Sequence, residues 1–549
     1  IQGDQNMLAE GRYFNPLPAL YLFPRGDDFE NVKIWERYNP DRRIHTQYWP
    51  YGDQGIDLEN PYWIVNREMF ISEKDRYMLH GRAQFDIFPW LNIAGRVRLD
   101  NTYTTLERKL HASTRPLFTG DTNLENAKGN YLRDENRFKQ TYADIMLNMN
   151  KSWDNDLSLT ANLGSSFEDH HTTGVSVGGR LKTIPNFFST SNVDPDVSGG
   201  GGESYRRTRN VALFASAELG WKNMLYLSAT GRGDWASQLV SNNKTSPIFY
   251  PSVGLSGIVS DMVALPKFIS YMKLRTSFTE VGSPISQVGI TPGTVTYEMS
   301  QGHVDPISTY PYPDFRPEKT RSWEVGLNTR LFDNKVRFDA TAYKSNTYNQ
   351  TFISEMSKSS GYSGFYVQAG DVRNHGVELA LGFDNSWRQL EYSSTLTYTR
   401  NVNKISEMVR DFKNPIDGTN INITYLEAPA YLREGDSMND LYVQGVLVKG
   451  RDGRFVEEGD GFKIDKTQRI KVGNTAPDYT MGWNNSLYYK GFNLNFLITG
   501  RFGGVVSDGT QALLDGFGVS EVTADARDAG GVMVDGELYD ARRYYTTVG

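Results

Sequence analysis

Aromatic side chains are the residues of this chain whose type and spacing could do binding chemistry. They gather in two segments between long alternating stretches, at Tyr310, Tyr312, Phe315, Tyr362, Phe365 and Tyr366. The face of an aromatic ring stacks on the C–H face of a sugar and also accepts peptide side chains. We therefore expect these six residues to contact a ligand, with packing inside loops or at a membrane interface as the alternative.

Three other motifs could suggest a functional site, but a structural role or a solvated loop explains each of them better. Residues 232–234 spell the adhesion tripeptide Arg-Gly-Asp, which we expect where a strand enters an external loop. The acidic stretch 452–465 lacks the spacing of a twelve-residue calcium loop. The histidine pair at 170–171 has no carboxylates at ligand spacing, which favours solvated loop histidines. Without an acid–base pair or a nucleophile elbow, we expect no catalytic residue, no metal site and no cofactor.

The charge and cysteine content exclude several classes of protein. The chain carries 58 Lys and Arg against 65 Asp and Glu, a net charge of −7, which argues against nucleic acid as a partner. Cysteine is absent, so disulfide scaffolds and thiolate chemistry are excluded. Mean hydropathy is −0.52, and no run approaches the ~18 apolar residues of a spanning helix.

The aromatic and glycine content nevertheless points to a membrane. The chain holds 32 Tyr, 28 Phe, 10 Trp and 52 Gly, while only 38% of its residues are hydrophobic. A transmembrane β-barrel turns every second residue of a strand to lipid, so its average hydropathy stays low. This composition therefore favours an all-β, antiparallel transmembrane barrel.

Alternating stretches and tight turns support the same architecture. From Trp323 to Tyr343 apolar and polar residues alternate on both sides of a Phe-Asp-Asn-Lys turn. Comparable turns recur near Pro89, Asp154, Lys222, Lys267, Asp333, Trp387 and Gly491. Seven hairpins predict 14 strands, or up to 16 with weaker segments near residues 31–50, and the last strand should end near Arg501. The tail to Gly549 resembles an external loop.

Two other β architectures fit less well. The turns are unevenly spaced, whereas a propeller repeats every ~40–50 residues. β-sandwich modules would pack small residues at intervals of ~100 residues with linkers between them, and no such linker is visible. Short turns at one end and long loops at the other are typical of outer-membrane barrels.

Six strings of residues carry a resemblance to a known family. In order along the chain they are Tyr226–Ser237, Tyr250–Gly254, Lys273–Phe278, Arg316–Thr320, Gly370–Glu378 and Gly473–Tyr479. Together they resemble the barrel of SusC/RagA-type TonB-dependent transporters of Bacteroidetes outer membranes, over roughly residues 70–549.

The resemblance implies a 22-stranded barrel with an N-terminal plug, a type of barrel with a filled lumen. It also implies import driven by the TonB–ExbB–ExbD complex through a TonB box, and a SusD-like surface lipoprotein as partner. We recognise no plug, TonB box or terminal strands in residues 1–549. We therefore expect this chain to be a partial barrel with long extracellular loops, located in the outer membrane and in contact with its lipid.

The family resemblance implies a substrate class without identifying the substrate. Oligosaccharides are the expected cargo, and oligopeptides are the second class. A passive porin, a surface adhesion scaffold and a barrel-embedded enzyme remain as alternative functions. Because loops longer than ~12–15 residues usually carry function, we expect the lipoprotein to contact loops that include residues 300–316 and 345–372.

Overall fold

The computed structural model describes most of the chain. The described residues are 16–56, 58–116, 127–153, 156–194, 201–241, 244–245, 247–283, 298–300, 303–305, 309–310, 316–355, 364–413, 418–426 and 431–548.

Fourteen antiparallel strands form one large sheet in which every strand pairs with its neighbours along the chain. The strands are β1 Glu68–Phe88, β2 Leu91–Leu110, β3 Asn130–Trp153, β4 Leu157–Arg180, β5 Gly201–Trp221, β6 Leu225–Ala236, β7 Ile248–Ile258, β8 Ile269–Ser283, β9 Glu318–Leu331, β10 Val336–Glu355, β11 Gly364–Trp387, β12 Leu390–Glu407, β13 Tyr479–Tyr489 and β14 Phe492–Phe502. A fifteenth, two-residue strand, Thr309–Tyr310, runs parallel to the start of β11.

Six of the seven predicted turns are confirmed, because each joins two adjacent strands of this sheet. The seventh, near Asp154, lies outside the described residues, although the strands that flank it, β3 and β4, pair as expected. In one of the six confirmed turns Met224 N–H donates to the Trp221 carbonyl at 3.0 Å, and the two central residues, Lys222 and Asn223, have φ of 53° and 54°. Positive φ at both residues is the geometry whose twist matches that of antiparallel strands. The last barrel strand ends at Phe502, close to the expected Arg501.

Side chains divide the sheet into an apolar outer face and a polar inner face. On β4, Leu157, Leu159, Leu163 and Phe167 share one face, and the same face turns polar at Asp169. A membrane-spanning strand needs only ~9–11 residues, whereas β4 has 24. The surplus therefore extends beyond the apolar band, on the side of the long connections.

The expected extra strands near residues 31–50 exist but do not belong to the barrel wall. Glu36–Asn39 and Ile44–Gln47 form a separate two-stranded sheet of four residues each, which is too short to span a membrane. The expected loop 345–372 is also wrong in part, because β10 continues to Glu355 and β11 begins at Gly364. Their cross-strand pairing continues into this projecting hairpin.

Short elements occupy the long-loop side of the sheet. The helices are α1 Leu17–Tyr21, α2 Pro61–Arg67, α3 Val259–Met262 (on the short-turn side), α4 Gly509–Gly516, α5 Glu521–Asp528 and α6 Ala541–Val548, with short 3-10 turns at Phe29–Lys33, Thr190–Asn192 and Ser237–Leu239. The remaining short strands are Val240–Ser241, Lys244–Thr245, Glu298–Ser300, His303–Asp305, Val409–Lys413, Asn420–Ile423, Tyr425–Leu426, Leu432–Arg433, Asp440–Leu447, Glu457–Glu458, Gly461–Phe462, Ile464–Asn474, Val532–Val534 and Glu537–Tyr539. Among the described helices, none is long and apolar enough to cross a membrane.

The tail after β14 is more ordered than the expected loop. Asp508 and Ser520 cap α4 and α5 by accepting backbone N–H bonds, which explains why helices begin there. The tail packs on the preceding external segment, where the rings of Tyr539 and Phe455 stack with centroids 4.6 Å apart.

A buried carboxyl pair lies where the N-terminal segment meets the outer end of β1. Glu59 and Glu68 are only 1% and 6% exposed. Gln47 and the Arg115 amide donate to one oxygen of Glu59. Two carboxyl oxygens, Glu59 Oε2 and Glu68 Oε1, have no hydrogen-bond partner in the described part of the chain. Burial raises the pKa of Glu59, while burial and the adjacent Glu59 raise the pKa of Glu68 well above its usual range.

We expect Glu68→Gln to remove a pH dependence from this contact. The pKa of Glu68 is higher in the folded state than in the unfolded state. Its contribution to folding stability is therefore complete below about pH 4.5 and falls as the pH rises towards the folded pKa. The variant should slow hydrogen exchange of residues 44–68 at about pH 8 but not at about pH 4. Glu73→Gln, at an exposed position on the same strand, is the control. Equal protection of the parent protein at both pH values would contradict this account.

The two faces of β12 provide a matched test of membrane orientation. Leu396 lies in the middle of the outer apolar band, and Thr397, the next residue, points to the inner face. Leu396→Arg in the full-length protein should reduce the free energy of unfolding by ~2–4 kcal/mol, measured by urea titration in bilayers. Thr397→Arg should be tolerated, because it faces the polar interior. Similar losses from the two substitutions would show that the faces are misassigned.

Candidate functional site

The inner face of β12 carries an uncharged run of hydrogen-bonding side chains. Its inward positions are Ser393, Thr395, Thr397, Thr399, Asn401 and Asn403. The amides of Asn401 and Asn403 donate to Asn374 Oδ1 on β11 at 3.3 and 2.9 Å. Tyr343 on β10 donates its hydroxyl to Asn401 at 3.2 Å. This amide and hydroxyl surface can exchange hydrogen bonds with an uncharged polar ligand.

The charged groups of the inner face are largely paired with one another. Arg76 binds Asp100 at 2.6 Å, and Arg96 binds Asp144 at 2.7 Å, in each case from a neighbouring strand. In both pairs the carboxylate is almost fully covered while the guanidinium is about half exposed. Paired charges satisfy each other, so this part of the wall presents little net charge to a ligand.

A concavity of about 380 Å³ lies on the upper inner wall of β3–β6. Its lining includes Phe138, Glu168, His170, Thr172, Arg206 and Asn210. His170 Nε2 lies 2.8 Å from Glu168, which also accepts from Gln140 at 2.6 Å. The ring centroids of Phe138 and His170 are 5.7 Å apart. A ring beside fixed polar groups is the arrangement that orients a small polar ligand.

The structure places only part of the predicted aromatic site. Tyr310 lies in the short strand opposite Phe365. Phe365 and Tyr366 are 3% and 8% exposed, and Phe365 packs against Val367 and Val409. Tyr312, Phe315 and Tyr362 lie outside the described residues. The burial of Phe365 and Tyr366 favours the packing alternative for these two, and ligand contact by the six residues stays a prediction.

The histidine pair and the Arg-Gly-Asp tripeptide lie within strands of the barrel wall. Expecting loop histidines was wrong, because the alternation of β4 continues through both: His170 faces inward, and His171 packs its ring 4.8 Å from Tyr205. Arg232 and Asp234 lie side by side on β6 and form an ion pair at 2.8 Å. No three potential metal ligands cluster among the described residues.

Sequence analysis missed the concavity, although a signal was present. Glu168, His170 and Thr172 fall on alternate positions of one strand, so they share a face. Phe138 on β3 and Arg206 on β5 join them only through the register of three strands. That register depends on the lengths of the hairpins and cannot be read from residue types.

A meander of fourteen long antiparallel strands, apolar outside and polar inside, is the wall of an outer-membrane β-barrel. The family described as TonB dependent receptor-like, beta-barrel, matches residues 20–507, and the chain belongs to it. This family comprises outer-membrane transporters and not enzymes.

Individual relatives agree with this assignment. TonB-dependent receptor P3 of Formosa agariphila is 24% identical over 540 residues, 90% of this chain and 51% of the relative. TonB-dependent receptor P26 of the same organism is 23% identical, covering 63% of this chain and 37% of the relative. The chain thus spans about half the length of the first relative it matches.

Solved structures show the same fold. The RagAB peptide importer in its open-open state superimposes with a TM-score of 0.63 at 18% identity, covering 83% of this chain and 50% of that chain. Its closed-closed state gives a TM-score of 0.64 at 17% identity, covering 81% and 49%. The resemblance to SusC/RagA-type transporters is confirmed.

We expect Phe365 to act through packing in the external hairpin. Phe365→Ala should destabilise this local cluster by about 3–5 kcal/mol, because it leaves a cavity against Val367, Val409 and Phe412. Phe365→Leu fills most of that space and should cost much less. Hydrogen exchange of residues 409–423 measures the difference. If both variants keep full protection but lose ligand affinity, Phe365 is a stacking residue instead.

Proposed function

We propose that residues 1–549 form a partial barrel and that the protein they belong to imports oligomeric nutrients across the outer membrane. Membership of the TonB-dependent receptor family supports active import, in which a plug and TonB box would connect the barrel to TonB–ExbB–ExbD. The observation that carries the proposal is the run of polar side chains from Ser393 to Asn403 on the inner face of β12, which can exchange hydrogen bonds with a ligand. Of the predicted aromatic residues, Tyr310, Tyr312, Phe315 and Tyr362 would add stacking contacts to the ligand.

The cargo we propose is an oligosaccharide. Uncharged sugars need many donors and acceptors but no counter-charge, and the Ser, Thr and Asn run of β12 supplies that chemistry. The paired Arg and Asp residues elsewhere on the wall agree with a neutral ligand.

Oligopeptides are the second candidate cargo. The structures with this fold include one named a peptide importer. The concavity on β3–β6 also combines Glu168 with Arg206, which could bind the two ends or the charged side chains of a peptide.

We also propose a SusD-like surface lipoprotein as a permanent partner. External segments of the described chain are extensive and include the β10–β11 hairpin and the segments between β12 and β13 and after β14. The proposed contact surface includes the 345–372 hairpin and residues 300–316. An interface that closes the barrel mouth would exceed ~2,000 Å², as permanent hetero-complexes do. Recovery of the barrel alone from mild detergent would contradict this partner.

Substitution of Thr395 and Thr399 tests which class of cargo the inner face binds. Thr395→Val with Thr399→Val keeps shape but removes two hydroxyls from the inner face, so oligosaccharide affinity of the full-length complex should fall about tenfold. The matched control is Thr141→Val with Thr276→Val on the outer face. Calorimetric binding with defined oligosaccharide and oligopeptide pools measures both. Unchanged oligosaccharide binding together with tight peptide binding would replace the first cargo by the second.

Uptake without TonB distinguishes import from the alternatives. An active importer should lose uptake in cells that lack TonB, while a passive porin should keep it and should conduct ions when purified. A surface adhesion scaffold would leave uptake unaffected and reduce cell attachment when deleted. A barrel-embedded enzyme would convert the cargo in solution.

A further inference from the structure

The outer face of β9–β12 becomes basic immediately above its apolar band. Six cations project from this face, which we name the basic belt: Lys319, Arg321, Lys344, Arg373, Arg400 and Lys404. Below them the same outward positions are apolar, as with Val325 and Leu327 on β9 and Leu379 and Leu381 on β11. The change from apolar to basic therefore occurs within one or two outward positions on each strand.

Strand register brings these cations close together. Arg321 pairs across the sheet with Asn346, Asn346 with Arg373, and Arg373 with Lys404. Directly opposite residues have Cβ atoms ~4.5–5.5 Å apart, and like charges at that spacing repel. Lys344 lies one outward position from this row, next to Trp323 on the neighbouring strand.

Only part of this charge is neutralised by the protein. Glu280 binds both Lys319 and Arg321 at 2.5 Å, and Asp371 binds Arg373 at 2.7 Å. Lys344, Arg400 and Lys404 are exposed and make no ion pair or hydrogen bond with any residue that the structure describes. Three unpaired cations in one patch are unexpected in a chain of net charge −7.

The outer surface of β1 and β2 carries charges of both signs at this height. There the outward positions above the apolar band hold Glu73, Asp75, Glu107 and Lys109, and Lys109 binds Glu107 at 2.8 Å. The basic belt differs from that surface because three of its six cations make no ion pair with any described residue. The position just above an apolar band is the level of lipid headgroups.

We propose that the basic belt binds the phosphate groups of a phosphorylated glycolipid in the outer leaflet. Lys and Arg bind phosphate through charge-assisted hydrogen bonds, and Arg can do so with two parallel bonds. The acyl chains of the same lipid would cover Val325, Leu327, Leu379 and Leu381 below. A single lipid thus matches both the apolar and the basic part of this surface.

The test uses the full-length protein purified from the outer membrane, delipidated and titrated with diphosphoryl lipid A. The triple variant Lys344→Gln, Arg400→Gln and Lys404→Gln should bind about 100-fold more weakly, because each basic group near a membrane surface contributes about fivefold. Native mass spectrometry gives the affinities, and heat-shifted migration in gels shows that the barrel is folded. The matched control, Arg451→Gln, Lys463→Gln and Lys466→Gln, removes the same charge from exposed external positions and should bind like the parent.

Two further arms identify the ligand chemistry. Dephosphorylated lipid A should bind the parent weakly and with no difference between variants, and inorganic phosphate alone should not compete at millimolar concentration. The proposal would be overturned if the parent bound the two lipids with equal affinity. It would also be overturned if the triple variant bound diphosphoryl lipid A like the parent, or if the control variant lost as much affinity as the triple variant. Cross-linking of Lys344 to a protein and not to lipid would overturn it as well.

Discussion

The need to satisfy every backbone hydrogen bond inside a lipid bilayer governs this structure. Lipid offers no donors or acceptors, so a spanning β segment must pair with neighbours on both sides. The twelve strands β2–β13 meet this requirement by pairing with the strand before and the strand after them, while β1 and β14 pair on one side within the described residues. Once the strands are paired, their pleat assigns alternate side chains to lipid and to the interior. The apolar outer and polar inner faces follow from that assignment.

Strand length separates the part of the wall that the membrane dictates from the part available for function. β3 and β4 have 24 residues each, about twice what the hydrocarbon layer needs. Their outer halves can therefore carry charge on both faces. Glu168 and His170 face inward there, while Asp169 faces outward and binds Arg207 at 2.5 Å. The same strand thus contributes to an inner concavity and an outer ion pair at one height.

The parts that sequence predicted are those with local causes. Turns with Asp, Asn or Lys beside an aromatic residue, and alternation over ten or more residues, sufficed for all seven hairpins. Failures occurred where distant contacts decide. Phe365 is buried by Val409, which is 44 positions away, and the tail is ordered by contacts such as Arg543 with Glu457 at 2.7 Å. His170 is an exception, because the local alternation that continues through it is sufficient to place it within β4.

Whether a charged side chain is already ion-paired indicates what kind of ligand the surrounding surface can bind. On the inner face Arg76 and Arg96 already bind Asp100 and Asp144, so a passing ligand gains little from them and is not trapped. Transport requires such weak binding, because a ligand that is held tightly is released slowly. Lys344 and Lys404 on the outer face have no carboxylate partner within the described ranges, so an anion bound there does not have to compete with one. Paired charges therefore suit a path through the barrel, and unpaired charges suit a fixed contact with its surroundings.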